Sequence, residues 1–480
     1  MDTPDGASAA RGLPARERVC LWLRPGSRSR RLLLAAAIYS VCVVVFACVA
    51  GRERLLHHTA FNHYALLADA WLHGRQDLAN GPPAYTMNND FAVYQGKTFI
   101  SFPPLPALLM VPFVKLAGSP EAFRDGQFAV WLAGIAPAVL FLGLEKLRRT
   151  SRSPRSEFDN VVLSVLFAFG SVYFFTAVEG TVWFVALVIG TALSALFLLF
   201  AVDAERPLLA GAALGCAYLT RPSILLAGIL FAAEALRVSR RESPPPDFHP
   251  SLLRRLREAS QRLDVSALLR RFALFLAPIA CAFALVAWLN FVRYGRMTPF
   301  YFDHELLNVA WRGRMLKWGV VGYHYLAKNM GIALTSLPWL PPKGGASAFG
   351  APFKINEHGL ALWVTTPLYL WVLWPKALDG QPARKWLYAI VALSVVGPAL
   401  FGLAYQNSGW RQFGYRFSND YSVLLFALLA IGGRPMRGLF AAAALWSVAW
   451  NTFGAITFDR TEFDRFYFRD GSQTIVYQPD

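Results

Sequence analysis

Charged residues are scarce in this sequence, and their scarcity indicates the class of protein. Asp, Glu, Lys and Arg make up only 16% of the 480 residues, whereas a typical soluble domain carries about 25%. Apolar residues account for 55% of the chain. Such a deficit matches long segments that meet lipid. The composition therefore predicts a polytopic membrane protein and argues against a soluble globular one.

Cysteine is also rare, which excludes another class. Four of the five cysteines (Cys42, Cys48, Cys216 and Cys281) lie inside apolar runs, and Cys20 lies in the basic N-terminal tail. None falls in a candidate extracytoplasmic loop. We therefore expect neither a disulfide framework nor a cysteine-based metal site.

Acidic residues are outnumbered by basic ones, 30 to 47, which gives a formal net charge of +17. A nucleic-acid partner would explain such an excess. So would the rule that the cytoplasmic loops of membrane proteins are rich in Lys and Arg. The basic residues concentrate between apolar runs, above all in the loop at 237–271. This distribution favours the second explanation, and we expect no nucleic-acid partner.

No internal repeat of about 20–50 residues is visible, and no break in composition marks a separate soluble domain. The chain instead has a series of apolar runs, and a helical span needs about 20 such residues. The expected fold class is an all-α integral membrane protein of about eleven transmembrane helices with periplasmic amphipathic juxtamembrane helices. The predicted spans lie near residues 32–50, 128–144, 159–176, 182–202, 206–219, 222–237, 272–292, 359–375, 385–404, 421–433 and 438–457.

The basic loops set the expected orientation, because Lys and Arg accumulate on the cytoplasmic side. The first apolar run lacks a convincing cleavage site, so we interpret it as a retained signal anchor. The loops predicted to lie outside are 52–125, 293–358 and 405–420. The predicted limits are 1–31 for a basic cytoplasmic tail, 32–457 for the transmembrane domain and 458–480 for an outer C-terminal tail.

A proline-led apolar segment, Pro103 to Leu116, decides this topology. It is shorter than the roughly 20 residues of a span. If it crossed, the basic stretch 146–155 would lie outside, against the charge rule. We therefore predict a juxtamembrane or re-entrant helix on the outer side. The preceding stretch, Ala60 to His73, has helical apolar spacing with one polar face, which predicts an amphipathic helix on the membrane surface.

Asp69 lies in that amphipathic stretch beside Trp71, where a carboxylate is partly desolvated. It is a candidate general base or orienter of an acceptor hydroxyl. Alternatively, it pairs with Arg75 or His73 and fixes the loop. Both interpretations stay open at this stage.

Histidines are frequent in the same loop, but they form no His-Glu-x-x-His motif and have no paired carboxylates. This pattern predicts hydrogen bonding at the membrane interface rather than zinc binding, and we expect no metal. The histidines concerned are His57, His58, His63 and His73.

Arginines recur in the predicted outer loops, where the charge rule disfavours them. We therefore expect each of them to interact with a nearby anion. Guanidinium groups match the oxygens of a phosphate or pyrophosphate, and neighbouring Tyr and Trp suit a sugar or lipid. The alternative is internal pairing, for example of Arg416 with Asp420. Arg221, in a Thr-Arg-Pro step between two short spans, is expected to face a cavity. The candidate substrate-binding residues are Asn62, His63, Arg75, Lys97, Arg221, Arg293, Arg411, Tyr415, Arg416 and Asp420.

Several motifs distributed over most of the chain point to one family. They are NHYALLADAWLHGR, DFAVYQGK, FPPLPALLMVPFVKLAG, the TRP step, NFVRYGR and FGYRFSNDY. With them the sequence resembles the GT-C superfamily, in particular bacterial polytopic glycosyltransferases of the family 39 kind that use polyprenyl-phosphate sugars.

This resemblance has consequences for the catalytic residue. In aminoarabinose and protein mannosyl transferases, which the chain also resembles, an acid in the first outer loop activates the acceptor while basic residues hold the donor phosphate. Their Asp-Glu pair falls on Ala60 and Phe61 when Tyr64 is aligned, and the lysine before the Pro-Pro pair is Phe102 here. The resemblance therefore implies that the catalytic role falls to Asp69, Asp90 or Glu53.

The implied activity is an inverting sugar transfer on the periplasmic side of a bacterial inner membrane. The donor would be a polyprenyl-phosphate sugar in contact with membrane lipid, the acceptor an extracytoplasmic lipid, glycan or protein, and no cofactor is implied. We expect Asp69 to orient the acceptor hydroxyl. The donor phosphate is expected among Arg416, Arg411, Arg293 and Lys97.

Two other functions stay open. A flippase or transporter of a lipid-linked glycan would place charge near the bilayer midplane and often show internal repeats, and the sequence shows neither feature. An O-antigen-ligase-like enzyme that uses pyrophosphate-linked glycans would carry similar outer Arg and His residues. Composition does not separate it from the first interpretation.

Overall fold

The structure is a computed structural model that describes residues 23–240, 263–309, 311–341 and 350–468. The predicted cytoplasmic tail and outer C-terminal tail therefore lie mostly outside the described residues. Within them, six helices are long and apolar enough to cross a membrane, which makes the chain a multi-pass membrane protein. These helices are Arg28–Leu56, Asp125–Arg149, Val182–Ala204, Val265–Tyr294, Pro382–Ala404 and Leu439–Thr457.

Helices dominate the described residues, and we number them in chain order. They are α1 Arg28–Leu56, α2 His63–Leu72, α3 Leu105–Ala117, α4 Asp125–Ala133, α5 Ile135–Arg149, α6 Glu157–Phe169, α7 Tyr173–Ala177, α8 Val182–Ala201, α9 Pro207–Tyr218, α10 Ile229–Val238, α11 Val265–Tyr294, α12 Arg312–Trp318, α13 Leu326–Thr335, α14 Leu362–Thr365, α15 Pro382–Ala404, α16 Asn419–Gly432 and α17 Leu439–Thr457. Short 3₁₀ segments include Pro222–Gly228, Pro367–Leu373 and Arg416–Ser418.

Six of the eleven predicted spans coincide with the long helices, and the other five correspond to shorter or broken elements. Two of these five contain a 3₁₀ segment that starts at a proline: the span near 222–237 begins with one at Pro222, and the span near 359–375 continues with one at Pro367 after the short helix α14. Helix α9 has 12 residues, which extend about 18 Å against a hydrocarbon core of about 30 Å. Helix α16 has 14 residues and is buried almost throughout. Because such helices pack against other parts of the protein, their length need not match the thickness of the bilayer. The eleven membrane crossings therefore stay a prediction.

Ion pairs gather the predicted cytoplasmic segments at one end of the bundle, which we name the basic end. Arg30 at the start of α1 pairs with Glu157 at the start of α6, with nitrogen and oxygen 2.7 Å apart. Arg152, after α5, pairs with Asp203, after α8, at 3.2 Å. Helix starts and helix ends thus alternate at this end, as in an up-and-down arrangement.

The predicted outer segments gather at the opposite end, which we name the loop end. Arg54 in the last turn of α1 pairs with Glu179, just before α8, at 2.8 Å. The N–H of Val182 at the start of α8 donates to the carbonyl of Phe61 just before α2, at 3.0 Å. The first outer loop is therefore tied directly to the end of the bundle.

Helix α3, the proline-led segment, begins and ends at the loop end. The N–H of Leu105 donates to the carbonyl of Leu219 at 2.9 Å. After Gly118, which ends the helix in a left-handed conformation, the carbonyl of Pro120 accepts from Nδ2 of Asn62 at 3.2 Å. Both ends of α3 are thus hydrogen-bonded to residues at the loop end, as expected of a helix that does not cross the bundle. Its placement on the outer side of the membrane stays a prediction.

A small antiparallel sheet lies between α2 and α3, and the all-α prediction missed it. Its strands are β1 Asp77–Leu78, β2 Phe91–Tyr94 and β3 Lys97–Ile100, in the order β1-β3-β2. Gln95 and Gly96 connect β2 to β3 with φ values of 49° and 73°. Two consecutive positive φ values form the type I′ turn that suits a hairpin. The strands are short, so the alternation of apolar and polar residues in them predicts a sheet only weakly, whereas the long apolar runs predict helices strongly.

Helix α9 packs against α11 at a glycine. A Cβ built on Gly211 would lie 2.0 Å from the carbonyl oxygen of Phe275, whereas one built on Gly143 in α5 would make an ordinary contact of 3.6 Å with Leu198. Gly211→Ala is therefore expected to lower the free energy of unfolding by about 1–3 kcal/mol, the usual cost of overpacking. Thermal unfolding in detergent measures the effect. Gly143→Ala is the matched control and should be neutral or slightly stabilising; equal stability of the two variants would contradict the close packing.

Candidate active site

Asp90 stands directly before strand β2, where the hairpin holds it against α8. Its Oδ2 atom accepts a hydrogen bond of 2.9 Å from the indole Nε1 of Trp183. Its backbone is left-handed, with φ of 62°, a conformation that aspartate tolerates better than most residues. Phe91 pairs with Ile100 across the sheet, so the position of the carboxylate is fixed by the hairpin on one side and by α8 on the other.

His63, the first residue of α2, lies beside Asp90 and is completely buried. Its ring stacks on Phe91 with centroids 4.4 Å apart. The Nε2–H donates to the carbonyl oxygen of Asn89 at 2.8 Å. Burial lowers the pKa of His63, although that hydrogen bond and Asp90 oppose the shift. His63 therefore packs as a neutral ring that supports the loop carrying Asp90.

Arg416 is a buried cation that lacks an acidic partner. Only 4% of it is exposed, and its guanidinium carbon lies 4.9 Å from the ring centre of Phe184. Its Nη1 donates to the carbonyl oxygen of Arg411 at 3.5 Å, but its Nε has no hydrogen-bond partner among the described residues, and it forms no ion pair with a described carboxylate. Burial and nearby Arg221 lower the pKa of Arg416 to about 9, which still leaves it protonated at neutral pH. A desolvated guanidinium with free donors is arranged to bind an anion.

Arg221 and Asp420, in contrast, form a closed pair. Arg221 Nε donates to Asp420 Oδ1 at 2.9 Å and Nη2 to Oδ2 at 2.7 Å. Ser223 Oγ adds a bond of 2.6 Å to the same carboxylate. The Arg416–Asp420 pairing considered from helical spacing is therefore not what forms, because Asp420 is already occupied by Arg221. That leaves Arg416 with its charge unmatched.

Asp90 and Arg416 interact electrostatically, although no hydrogen bond or ion pair joins them. They are held by consecutive residues at the start of α8, Trp183 for the carboxylate and Phe184 for the guanidinium. Burial raises the pKa of Asp90, and His63, the Trp183 hydrogen bond, His304 and Arg416 each lower it without offsetting burial. The loop end thus brings a proton acceptor and an anion-binding group within electrostatic range of each other.

Three residues of this site were missed in the sequence. Glu179 is buried and paired with Arg54, and burial raises its pKa to about 7. Trp183 holds Asp90, and His304 interacts electrostatically with it. Only Glu179 carried a usable signal, because it is a lone acid within the apolar sequence FFTAVEGTVWF.

Four predicted residues lie in exposed or partly exposed positions, and the structure shows no contact between them and Asp90 or Arg416. Asp69 is partly exposed and lies 3.5 Å from the Nδ1 of His73, which is the pairing weighed as its alternative role. Glu53 is exposed in the last turn of α1, and Arg75 and Lys97 are exposed in the first outer loop.

Arg411 is engaged by two acids, whereas Arg293 resembles Arg416, because it is buried, forms no ion pair with a described acid and has one nitrogen, Nη2, without a hydrogen-bond partner among the described residues. Arg293 Nη1 donates to the carbonyl of Ile100 at 3.2 Å. Arg411 pairs with Asp459 at 3.1 Å and with Glu357 at 3.5 Å. The expected phosphate cluster of Arg416, Arg411, Arg293 and Lys97 stays a prediction, in which Arg411 is already paired with acids and Lys97 is exposed.

Asn62 and Tyr415 make structural contacts near the site. Asn62 is buried and bonds the carbonyl of Pro120 and the hydroxyl of Tyr85. Tyr415 is 1% exposed and packs against Phe417 beside the Arg221–Asp420 pair. Among the described residues, no three His, Cys, Asp or Glu side chains are arranged to hold a metal.

These features define a class: a multi-pass helical membrane protein with a carboxylate, Asp90, and a buried guanidinium without an ion pair, Arg416, at the loop end of its bundle. Two solved structures are similar to the chain. One is ArnT from Cupriavidus metallidurans bound to undecaprenyl phosphate, with 13% identity and a TM-score of 0.40 over 90% of this chain and 60% of that one. The other is the archaeal oligosaccharyltransferase AglB from Archaeoglobus fulgidus in complex with an inhibitory peptide and a dolichol-phosphate, with 12% identity and a TM-score of 0.42 over 87% of this chain and 56% of that one.

Both neighbours belong to the GT-C superfamily, which the sequence motifs resemble. The chain spans less than two thirds of the length of either one. No protein-family model matches the sequence, and no curated protein does.

Proposed function

We propose that this protein transfers a sugar from a polyprenyl-phosphate donor to an extracytoplasmic acceptor, with the reaction taking place at the loop end. The observation that carries the proposal is Arg416, a buried guanidinium that forms no ion pair with a described carboxylate and interacts electrostatically with Asp90. A buried charge is costly unless something pairs with it. A phosphate group from the donor would supply the missing negative charge.

Arg416 would bind and stabilise the phosphate of the donor. When the bond between the anomeric carbon and the phosphate oxygen breaks, the electron pair stays on that oxygen and negative charge develops there. A preorganised guanidinium in a site shielded from water stabilises such charge strongly. The neighbouring Arg221 and Asp420 cancel each other's charge, so we assign them to shaping the site rather than to binding phosphate.

Asp90 would activate the acceptor. The hydroxyl oxygen of the acceptor attacks the anomeric carbon from the face opposite the phosphate, and its proton passes to the Asp90 carboxylate. Trp183 occupies Oδ2 of Asp90, which leaves Oδ1 for the acceptor. The raised pKa of Asp90 makes it a stronger base than an exposed carboxylate. This assignment replaces Asp69 with Asp90 as the preferred base.

The remaining features of the proposal concern place and partners. The basic end would face the cytoplasm, because lysines and arginines accumulate there, and the loop end the periplasm of a bacterial inner membrane. The proposed chemistry uses the side chains of the chain and calls for no cofactor. A flippase for a lipid-linked glycan would need its charged groups near the bilayer midplane, whereas Asp90 and Arg416 lie at the loop end.

The test is a transfer assay with the purified full-length protein. Radiolabelled polyprenyl-phosphate sugars are supplied one at a time with a membrane extract as the source of acceptors. We expect label to move from at least one donor to an extract component, with release of one polyprenyl phosphate per sugar. Asp90→Asn serves as the inactive control. Binding of a donor without any transfer would contradict the enzyme and favour a flippase or a carrier.

A further inference from the structure

A second cavity lies at the basic end, on the opposite side of the bundle from Asp90. Its volume is about 480 Å³, and it lies between the 3₁₀ helix Pro367–Leu373 and the turn that joins α16 to α17. We propose that this cavity binds the headgroup of an anionic phospholipid. The side chains that carry the argument are Trp371, Trp374, Lys376, Arg434, Arg437 and Phe440.

Three cations converge on the cavity. Lys376, Arg434 and Arg437 are all exposed, and the structure records no ion pair between any of them and a described carboxylate. Arg434 Nη1 donates to the carbonyl of Trp374 at 3.1 Å, which directs its guanidinium along the cavity wall. Lys376 is fixed through its backbone, whose N–H donates to the carbonyl of Gly432 at 2.8 Å. The wall is thus preformed, and phosphate is the anion that such lysine and arginine groups bind well.

The rim of the cavity is apolar, and this favours a lipid over a free phosphate. Among its lining residues, Trp374 is 59% exposed and Leu439 80%. Leu439 is the first residue of α17, one of the six helices able to cross a membrane. Exposed tryptophan and leucine beside the start of such a helix are typical of the level where headgroups meet acyl chains. A ligand that matches both parts has a phosphate for the cations and hydrocarbon chains for the rim.

The test uses native mass spectrometry of the full-length protein in detergent, titrated separately with phosphatidylglycerol, phosphatidylcholine and inorganic phosphate. The variant Lys376→Ala/Arg434→Ala/Arg437→Ala removes the three cations. The matched control, Arg28→Ala/Arg149→Ala/Arg206→Ala, removes three exposed arginines from the same end outside the cavity. If the triple variant fails to fold, Arg437→Gln alone replaces it.

We expect phosphatidylglycerol to bind at least tenfold more tightly than phosphatidylcholine. Because each basic residue near an anionic lipid contributes about a factor of five in affinity, the cavity variant should bind phosphatidylglycerol roughly 100-fold more weakly. Arg437→Gln should weaken it about fivefold by the same reasoning. The control should bind as the wild type does.

Three outcomes would overturn the proposal. They are equal affinity for the two lipids, an equal loss of affinity in the cavity and control variants, and displacement of the lipid by inorganic phosphate at similar concentration. The first two indicate general surface attraction and the third a free phosphate site. The proposed sugar transfer is measured at the other end of the bundle, so either proposal can fail without the other.

Discussion

Replacement of Asp90 by asparagine is expected to lower the rate of sugar transfer by roughly 10²–10⁴-fold, the usual contribution of a positioned general base. Asparagine has nearly the same shape, and its amide oxygen can still accept the hydrogen bond from Trp183. The fold should therefore survive, and the loss should appear in kcat of the transfer assay with little change in thermal unfolding. The variant removes only the ability to take a proton.

Two other acids serve as controls for this variant. Asp69→Asn and Glu53→Gln remove carboxylates that are partly or fully exposed, and both proteins should keep the activity of the wild type within about twofold, because an exposed carboxylate is a weaker candidate for the base. Full activity in Asp90→Asn, or a severe loss in Asp69→Asn, would return the catalytic role to the amphipathic helix.

The pH dependence of the wild type gives a second measure of Asp90. Burial raises its pKa above the usual range of an aspartate. The carboxylate must be ionised to act as a base, so kcat should fall as pH falls through that raised pKa and reach a plateau above it. If kcat stays constant down to the ordinary pKa of a carboxylate, the group that limits the reaction is not Asp90.

The choice between Asp69 and Asp90 shows where sequence reasoning reaches its limit. Both acids belong to the same polar loop, and helical periodicity places Asp69 beside Trp71 in an apparently desolvated position. What distinguishes Asp90 is a contact with Trp183, which lies 93 residues further along the chain. Local patterns carry no information about such a contact, because it depends on how the hairpin and α8 meet in space.

The same limit applies to the cations. The charge rule marked the arginines of the predicted outer loops as unusual, and the Thr-Arg-Pro step drew attention to Arg221. The partner of Arg221 is Asp420, 199 residues away. Sequence spacing instead offered the local pair of Arg416 with Asp420. Only the long-range pairing reveals that Arg416, rather than Arg221, is the cation left without a described acid.

Hydropathy performed best where helices are long, and less well where they are enclosed by protein. The six long helices all correspond to predicted spans. Helices α9 and α16 are equally apolar but shorter, since neighbouring helices rather than lipid surround much of their length. A hydropathy profile responds to both environments in the same way, so it locates these two helices to within two residues but does not tell whether they cross the membrane.

Replacing Arg416 or Arg221 by methionine gives the sharpest remaining test, because only the second substitution should destabilise the protein. Arg416→Met removes a buried charge that has no described acidic partner, and the free energy of unfolding should stay constant or rise. Arg221→Met leaves the buried carboxylate of Asp420 without its bidentate partner. That should lower the free energy of unfolding by about 3–5 kcal/mol.

The Arg416→Met variant should keep its stability but lose activity. Loss of a preorganised charge at the site of a developing oxyanion lowers kcat by roughly 10²–10³-fold, so Arg416→Met should be a well-folded protein that transfers sugar poorly. Thermal unfolding in detergent and transfer kinetics, measured on the same preparations, test both halves. If Arg416→Met unfolds as easily as Arg221→Met, Arg416 serves the fold, and its loss of activity no longer identifies the phosphate site. If it is stable and inactive, the unpaired guanidinium is retained for the ligand, because the fold does not require it.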